Sequence, residues 1–297
     1  MIENISTVMV TGASGNLGSK AVQALLNASW CKKVIGLYPP GYEAENINHE
    51  KLVKVSSDLT DPNGSWNEYF NGLDAIIHFA AQNPVPEANW NDAIASFDMT
   101  ANLSFAALKH GVKRFVFCSS NHVMGGYKDA PLANTIKSGG LTESLAQAPG
   151  TKWSDGDRFV DSTPYASYKL MGERTVLSLA EQSSGKTTVV CIRVGWALPD
   201  ENNPKNISMS GSPNEKGADV KGDPEMEKNL HWFRDMWLSN ADLEQVINKS
   251  LTADSLKWPS KGVVVNAVSN NKGTVWGHKE GVALIGFEPQ DDLYNLV

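Results

Sequence analysis

Tyr165 and Lys169 lie four residues apart in Tyr165-Ala166-Ser167-Tyr168-Lys169, so a helix would place them on one face. A phenol with a pKa of ~10 is a poor base near neutrality. A neighbouring ammonium favours the phenolate, which would turn the pair into a device for taking a proton from a hydroxyl. The spacing alone recurs by chance on helix surfaces. It gains meaning beside Ser119-Ser120-Asn121-His122, which follows the apolar run Arg114-Phe115-Val116-Phe117-Cys118. A strand ending at Ser120 would present a hydroxyl able to hold the substrate oxygen while Tyr165 removes its proton.

A hydroxyl carbon that loses a proton from oxygen must pass its hydride to an acceptor. Thr11-Gly12-Ala13-Ser14-Gly15-Asn16-Leu17-Gly18 points to one, because its G-x-x-G-x-x-G spacing follows a strand and opens a helix. Gly12 permits the tight turn, Gly15 lets the backbone approach a pyrophosphate, and Gly18 allows close helix–sheet packing. Ser14, Asn16 and Leu17 complete a cradle at the helix N-terminus, where free N–H groups and the helix dipole favour an anion. The expected cofactor is NAD or NADP. Its oxidised ring would act with Lys169 on the Tyr165 phenol, so both residues also count as cofactor contacts. An acid usually ends the second strand of such a site, ~20 residues past the glycines. Here Val34-Ile35-Gly36-Leu37 runs into Tyr38-Pro39-Pro40, with neither an acid for the ribose nor an arginine for a 2′-phosphate. The choice between the two dinucleotides stays open. Tyr38 either packs on adenosine or is a surface aromatic. Asp58-Leu59 and Ala80-Ala81 follow the third and fourth strands, and Asp58 either accepts from the adenine amino group or caps a turn.

The elements that must carry these residues alternate along the chain. Apolar runs at 7–10, 34–37, 52–55, 75–79, 114–118 and 188–192 read as buried strands, and 20–27, 91–110 and 165–182 carry helical periodicity. Unbroken apolar strands separated by helices predict an α/β fold with a doubly wound parallel sheet of Rossmann type. Residues 127–163 and 199–229 break the rhythm with Gly, Pro, Asn and charge and are expected as long loops. A helix near 242–251, a strand at 263–265 and a segment at 281–287 end the chain. The expected division is a dinucleotide-binding domain over 1–195, with an insertion at 127–163, and a small substrate-capping region over 196–297, some of whose elements rejoin the sheet.

The 297 residues carry 41% hydrophobic and 20% charged side chains, an ordinary globular composition, and a net charge of −7. An acidic surface without a basic cluster argues against nucleic-acid or membrane-surface partners. Cys31, Cys118 and Cys191 are odd in number and widely spaced, which suits free thiols in a reducing compartment better than a disulfide frame or a zinc site. No metal is expected. Without a signal-like start or an ~18-residue apolar run, the reading is cytoplasmic.

Taken in order, the glycine turn, His78-Phe79-Ala80-Ala81, Ser119-Ser120 and Tyr165 through Glu173 resemble the extended short-chain dehydrogenase/reductase superfamily, the NAD-dependent epimerase/dehydratase family. The resemblance spans nearly the whole chain and implies Ser120, Tyr165 and Lys169 as catalytic residues, with a homodimer as a further expectation. Within it, Ser119-Ser120-Asn121-His122-Val123-Met124-Gly125 resembles the uronate dehydrogenases and related archaeal sugar dehydrogenases, as do residues 237–239 and 264–276. That branch oxidises the anomeric hydroxyl of a free sugar or sugar acid, so Asn83, Ser120, Asn121 and His122 are expected at the substrate. His122 is otherwise a packed turn histidine. The alternative is a nucleotide-sugar epimerase or dehydratase with tightly bound NAD. Asn121-His122 occupy the place where dehydratases carry carboxylates. The chain also departs from the uronate branch. Trp196 replaces a small polar residue, and Lys205 replaces a carboxylate-binding arginine whose bidentate fork a lysine cannot copy. Lys205 is either a substrate contact or a solvated surface residue. The segment between Ser120 and Tyr165, with Trp153, Arg158 and Asp161, is longer than in that branch.

Overall fold

The computed structural model describes residues 4–42, 48–154, 159–208 and 222–296. Its core is a sheet of seven parallel strands: β1 (Thr7–Thr11), β2 (Lys33–Tyr38), β3 (Leu52–Ser56), β4 (Ala75–His78), β5 (Arg114–Ser120), β8 (Thr188–Val194) and β9 (Gly262–Ala267). They lie in the order β3-β2-β1-β4-β5-β8-β9, the doubly wound arrangement expected. β6 (Lys152–Ser154) and β7 (Phe159–Asp161) form a separate antiparallel pair. Parallel strands with both faces covered have no polar face, and accordingly every residue of β5 and β8 is buried. Arg193 can sit inside β8 because Glu173 pairs with it through two 2.9 Å hydrogen bonds.

Helices α1 (Asn16–Asn27) and α5 (Asn240–Thr252) pack together on one side of the sheet; α2 (Trp90–His110) and α3 (Thr163–Gln182) pack together on the other. Asn89 and Asp92 cap α2 reciprocally, and Gly111 ends it at φ +66° in the left-handed region. The chain order reverses between β1 and β4, which opens a crevice at their carboxyl ends. A hydrophobic cluster with Trp153, Phe233, Trp237 and Trp276 lies apart from those on the two faces of the sheet. It draws on residues from 123 to 198 as well as from 207 to 293.

Three expectations need correction. The stretch 199–229 is not loop to its end, because α4 (Pro224–Asp235) begins inside it. Asp223 caps that helix, Pro224 opens it, and Leu230, Trp232 and Phe233 bury its apolar side. The insertion at 127–163 is not simply a loop, since β6 and β7 are too short to leave a periodic trace. The first helix starts at Asn16 rather than Lys20, directly from the glycine turn. Arg158 and residues 209–221 of the 199–229 stretch lie outside the described residues. Among the described residues, no helix is long and apolar enough to cross a membrane.

Candidate active site

The glycine turn leaves no room for side chains. A Cβ on Gly18 would stand 2.0 Å from the Gly12 carbonyl oxygen, and one on Gly12, at φ +67°, 2.9 Å from the Ala80 nitrogen. Helix α1 begins after Gly15 with no side-chain cap and no acidic residue in its first turn. A 12-residue helix thus offers an open N-terminus at the carboxyl end of β1, which is what a diphosphate requires. Behind the turn, Thr11 Oγ1 lies 2.8 Å from His78 Nδ1, Thr100 Oγ1 lies 3.0 Å from His78 Nε2, and the Ala80 N–H donates to Thr11 Oγ1. Burial lowers the His78 pKa to about 3, so the ring serves as a neutral tie between β1, β4 and α2.

Two cavities meet over this turn, sharing Gly12, Gly15, Phe79 and Pro84. The first runs over Ser14, Tyr38, Asp58, Leu59, Ala80 and Ala81. Tyr38 is buried, its ring stacked on Tyr42 at 5.6 Å. Asp58 Oδ1 accepts from the Thr60 N–H and hydroxyl, so the aspartate closes a turn while lining the cavity. The second cavity continues over Asn16, Leu17 and Gly18 to Ser120, Asn121, His122, Tyr165, Lys169 and Trp196. The turn, the open helix end and the paired cavities together fit an extended dinucleotide.

The three residues singled out for proton transfer converge. β5 carries Ser120 to the crevice, and α3 presents Tyr165 and Lys169 one turn apart. Lys169 Nζ donates to the Cys118 carbonyl at 2.6 Å and lies 5.7 Å from the centre of the Tyr165 ring. Burial pushes the Tyr165 phenol above its ordinary value; the Lys169 charge and a hydrogen bond with Ser120 pull it down. In the protein's own field burial outweighs the lysine, and the oxidised nicotinamide that was expected to act with Lys169 adds its charge only when the dinucleotide is bound.

Beside this trio, His122 Nδ1 lies 2.8 Å from Thr151 Oγ1 and 2.9 Å from Ser162 Oγ. Nε2 is buried without a partner, and burial lowers the ring's pKa to about 3. Asn121 donates to the Val194 carbonyl at 3.1 Å, leaving its buried Oδ1 unpartnered. Both side chains belong to residues lining the second cavity. Trp196 stands edge-on to His122, with ring centres 6.2 Å apart.

Two expected substrate residues are not brought to this cavity. Asn83, at φ +45°, is exposed and donates to Asp92 Oδ2, while its neighbours Gln82 and Pro84 line the trench. Lys205 is exposed in a short 3-10 turn whose cap is Asn203. Sequence reasoning missed Pro84 and Pro86 in the wall, and Thr151 and Ser162 behind His122. The prolines were legible as a turn; Thr151 and Ser162 lie in an aperiodic stretch and carried no signal.

Residues 8–197 match the NAD dependent epimerase/dehydratase family. The chain belongs to that family. It is similar to the L-arabinose 1-dehydrogenase (NAD(P)(+)) of Haloferax volcanii, 28% identical over 99% of this chain and 100% of the relative. The uronate dehydrogenase of Pseudomonas putida is also 28% identical, over 96% of this chain and 84% of that protein. The crystal structure of uronate dehydrogenase from Agrobacterium tumefaciens superposes with a TM-score of 0.68 at 22% identity, over 98% of this chain and 87% of that one, a likeness of fold.

Proposed function

We propose that the protein is an NAD(P)-dependent dehydrogenase that oxidises the anomeric hydroxyl of a free sugar or sugar acid to a lactone. One observation carries the reading: Ser120, Tyr165 and Lys169 line one cavity with Asn121 and His122, each of which holds a buried polar atom without a partner, at the end of a trench suited to a dinucleotide. A buried polar atom without a partner costs about 1–3 kcal/mol, so two of them beside a candidate base favour a ligand rich in hydroxyls. The names of the relatives matching along nearly the full chain support a sugar dehydrogenase over an epimerase.

In this reading Gly12, Ser14, Gly15, Asn16, Leu17 and Gly18 hold the diphosphate, and Tyr38, Asp58, Leu59, Ala80 and Ala81 hold the adenosine. When bound, the oxidised nicotinamide supplies the hydride acceptor and a positive charge. Ser120 donates to the substrate oxygen and fixes its position. Tyr165 takes the hydroxyl proton as the C1–O bond becomes a carbonyl, and Lys169 stabilises the phenolate that does so. Asn121 and His122 bind neighbouring hydroxyls, and Trp196 closes the far wall. The reading assigns cofactor binding to residues 1–195 and most of the substrate cover to 196–297. Exposed Trp90, Ile94 and Phe105 on α2 and Met171 on α3 support a second copy of the chain as partner. The three cysteines, buried and free, support a reducing compartment.

Neutral aldoses and uronates, each assayed with NAD and with NADP, test the proposal by the absorbance of reduced nicotinamide. Turnover is expected with at least one sugar, and Tyr165→Phe is expected to lower kcat by about 10³-fold with dinucleotide affinity retained. A cofactor that stays bound through purification, with no net reduction by any sugar, would support the epimerase reading instead.

A further inference from the structure

We propose that α1, whose N-terminus faces the diphosphate site, also sets the position of the substrate wall, with Lys20 and Asn16 as positioning residues. The proposal rests on the sugar-dehydrogenase reading for what the wall touches, and on geometry for how the wall is held.

The wall begins where β8 ends. Gly195 has no space for a side chain, since a Cβ would lie 2.0 Å from the Met236 carbonyl oxygen. The chain passes this point into Trp196, whose N–H donates to Met236 and whose carbonyl accepts from Leu238. The Trp196 ring packs edge-on against Phe233 at 5.3 Å, and Trp196 and Ala197 line the cavity holding Ser120, His122 and Tyr165. Beyond this single bridge to Trp237, the segment has no sheet to hold it. It also contains two non-glycine residues in the left-handed region, Asp200 at φ +51° and Asn202 at φ +55°, a conformation that persists only when its surroundings enforce it.

Side chains do the enforcing. Asn16 Nδ2 donates to the Ala197 carbonyl at 2.7 Å. Lys20 Nζ, one turn along the same face of α1, donates to the Leu198 carbonyl at 2.8 Å and to Asn240 Oδ1 at 2.6 Å. Asn240 passes the tie on to the Asp200 carbonyl. From the other side, buried Asn202 accepts from the Leu198 N–H at 2.7 Å and the Trp237 indole at 3.0 Å, and donates to Leu238 at 2.7 Å. Asn16 is thus the first residue of the helix at the diphosphate turn, and its carboxamide reaches the substrate wall instead. A shift of α1 against the diphosphate must drag Ala197 and Trp196 with it, so dinucleotide seating and sugar binding are coupled, and reciprocally so.

The variant that reads this is Lys20→Met, which keeps the aliphatic stem and removes the ammonium outside the glycine turn; Lys20→Arg restores a donor. Loss of two charge-assisted hydrogen bonds to the wall is expected to raise the KM for sugar about tenfold, with less than about a threefold change in kcat and less than about a twofold change in the Kd for NAD measured without sugar. Lys20→Arg should recover most of the KM. An unchanged KM in Lys20→Met overturns the proposal, as does a rise in KM matched by an equal rise in the NAD Kd. If the wild type oxidises no sugar, the sugar reading falls by itself, and amide exchange of residues 196–203 then decides the coupling. Protection by NAD in the wild type, lost in Lys20→Met, supports it; equal exchange in both proteins overturns it.

Discussion

In the proposed function, the two ends of the trench recognise their ligands by different means. At the dinucleotide end, recognition comes from main chain and helix geometry. Gly12, Gly15 and Gly18 fall within seven residues, their turn is closed against Ala80, and the polar groups behind it are satisfied through Thr11, His78 and Thr100. At the sugar end, side chains arrive from residues 121–122, 151, 162 and 196, and two buried polar atoms remain unpartnered. In the proposed function the first end binds what every nicotinamide dinucleotide presents, and the second, with unused hydrogen-bonding capacity, sets the choice of substrate. One scaffold can therefore keep its cofactor while changing its sugar.

Gly18→Ala should break this comparison most severely at the dinucleotide end. The added methyl would sit 2.0 Å from the Gly12 carbonyl, and no flexible side chain is there to yield. A forced displacement of the turn is expected to weaken NAD binding by about 100-fold or more and to cost several kcal/mol of stability. Calorimetric titration with NAD and thermal unfolding read both. Near wild-type NAD affinity in this variant would mean that the turn does not carry the diphosphate.

His122→Ala addresses the sugar end. It removes a neutral ring whose Nδ1 is fixed by Thr151 and Ser162 and whose buried Nε2 has no partner within the protein. One hydrogen bond to a buried partner corresponds to about a tenfold rise in the KM for sugar, with NAD affinity held within about twofold. Steady-state kinetics with an NAD titration separate the two quantities. An equal loss at both would erase the distinction between the ends.

The same division governs what could be read without coordinates. The glycine turn and the Tyr165–Lys169 pair were legible because each is a short spacing on one element, fixed by helix or turn geometry. The parallel sheet was legible because strands covered on both faces are mostly apolar; of the buried arginines in them, Arg193 is balanced by Glu173 on α3, and Arg114 donates to Thr188 and to the Ser250 and Ala253 carbonyls. The sugar end was only half legible. Asn121 and His122 follow directly on a strand and were found. Thr151 and Ser162 contact His122 from 29 and 40 residues away, and no local pattern reports that. Lys205, which departs from the resemblance and was open between a substrate contact and a solvated surface residue, is exposed in a short turn, and the Asn83 side chain, expected at the substrate, donates to Asp92. Helix α4 was marked by Asp223-Pro224 and by Leu230, Trp232 and Phe233, but polar residues before it obscured its start.

The smallest expected effect tests whether the cover over the sugar end carries its own pH dependence. Glu143, in the 127–163 insertion, accepts from the Asn266 N–H through Oε1, while its buried Oε2 and that of neighbouring Glu280 have no partner. Burial, with Glu280 beside it, raises the Glu143 pKa to about 8. In the folded state this acid holds its proton to a higher pH than in the unfolded chain, where an ordinary glutamate titrates at ~4.3. Unfolding then releases a proton between those values, so stability falls as pH rises across that window. The buried histidines, His78 and His122, act oppositely and lower down: their depressed pKa values remove stability as pH falls below the ordinary histidine range of ~6.5. Above the histidine window, from about pH 6.5 to about pH 8, the Glu143 carboxyl acts without the two histidines. Glu143→Gln keeps an acceptor for Asn266 and has no carboxyl proton to lose. Its Tm should therefore decline less than the wild type's as pH rises from 5 to 8, by about 2–4 °C over the upper half of that range, the histidines being common to both proteins. Parallel Tm curves for the two proteins would show that the Glu143 carboxyl stays protonated or is opened to solvent, and would remove this contrast between the sugar cover and the dinucleotide floor.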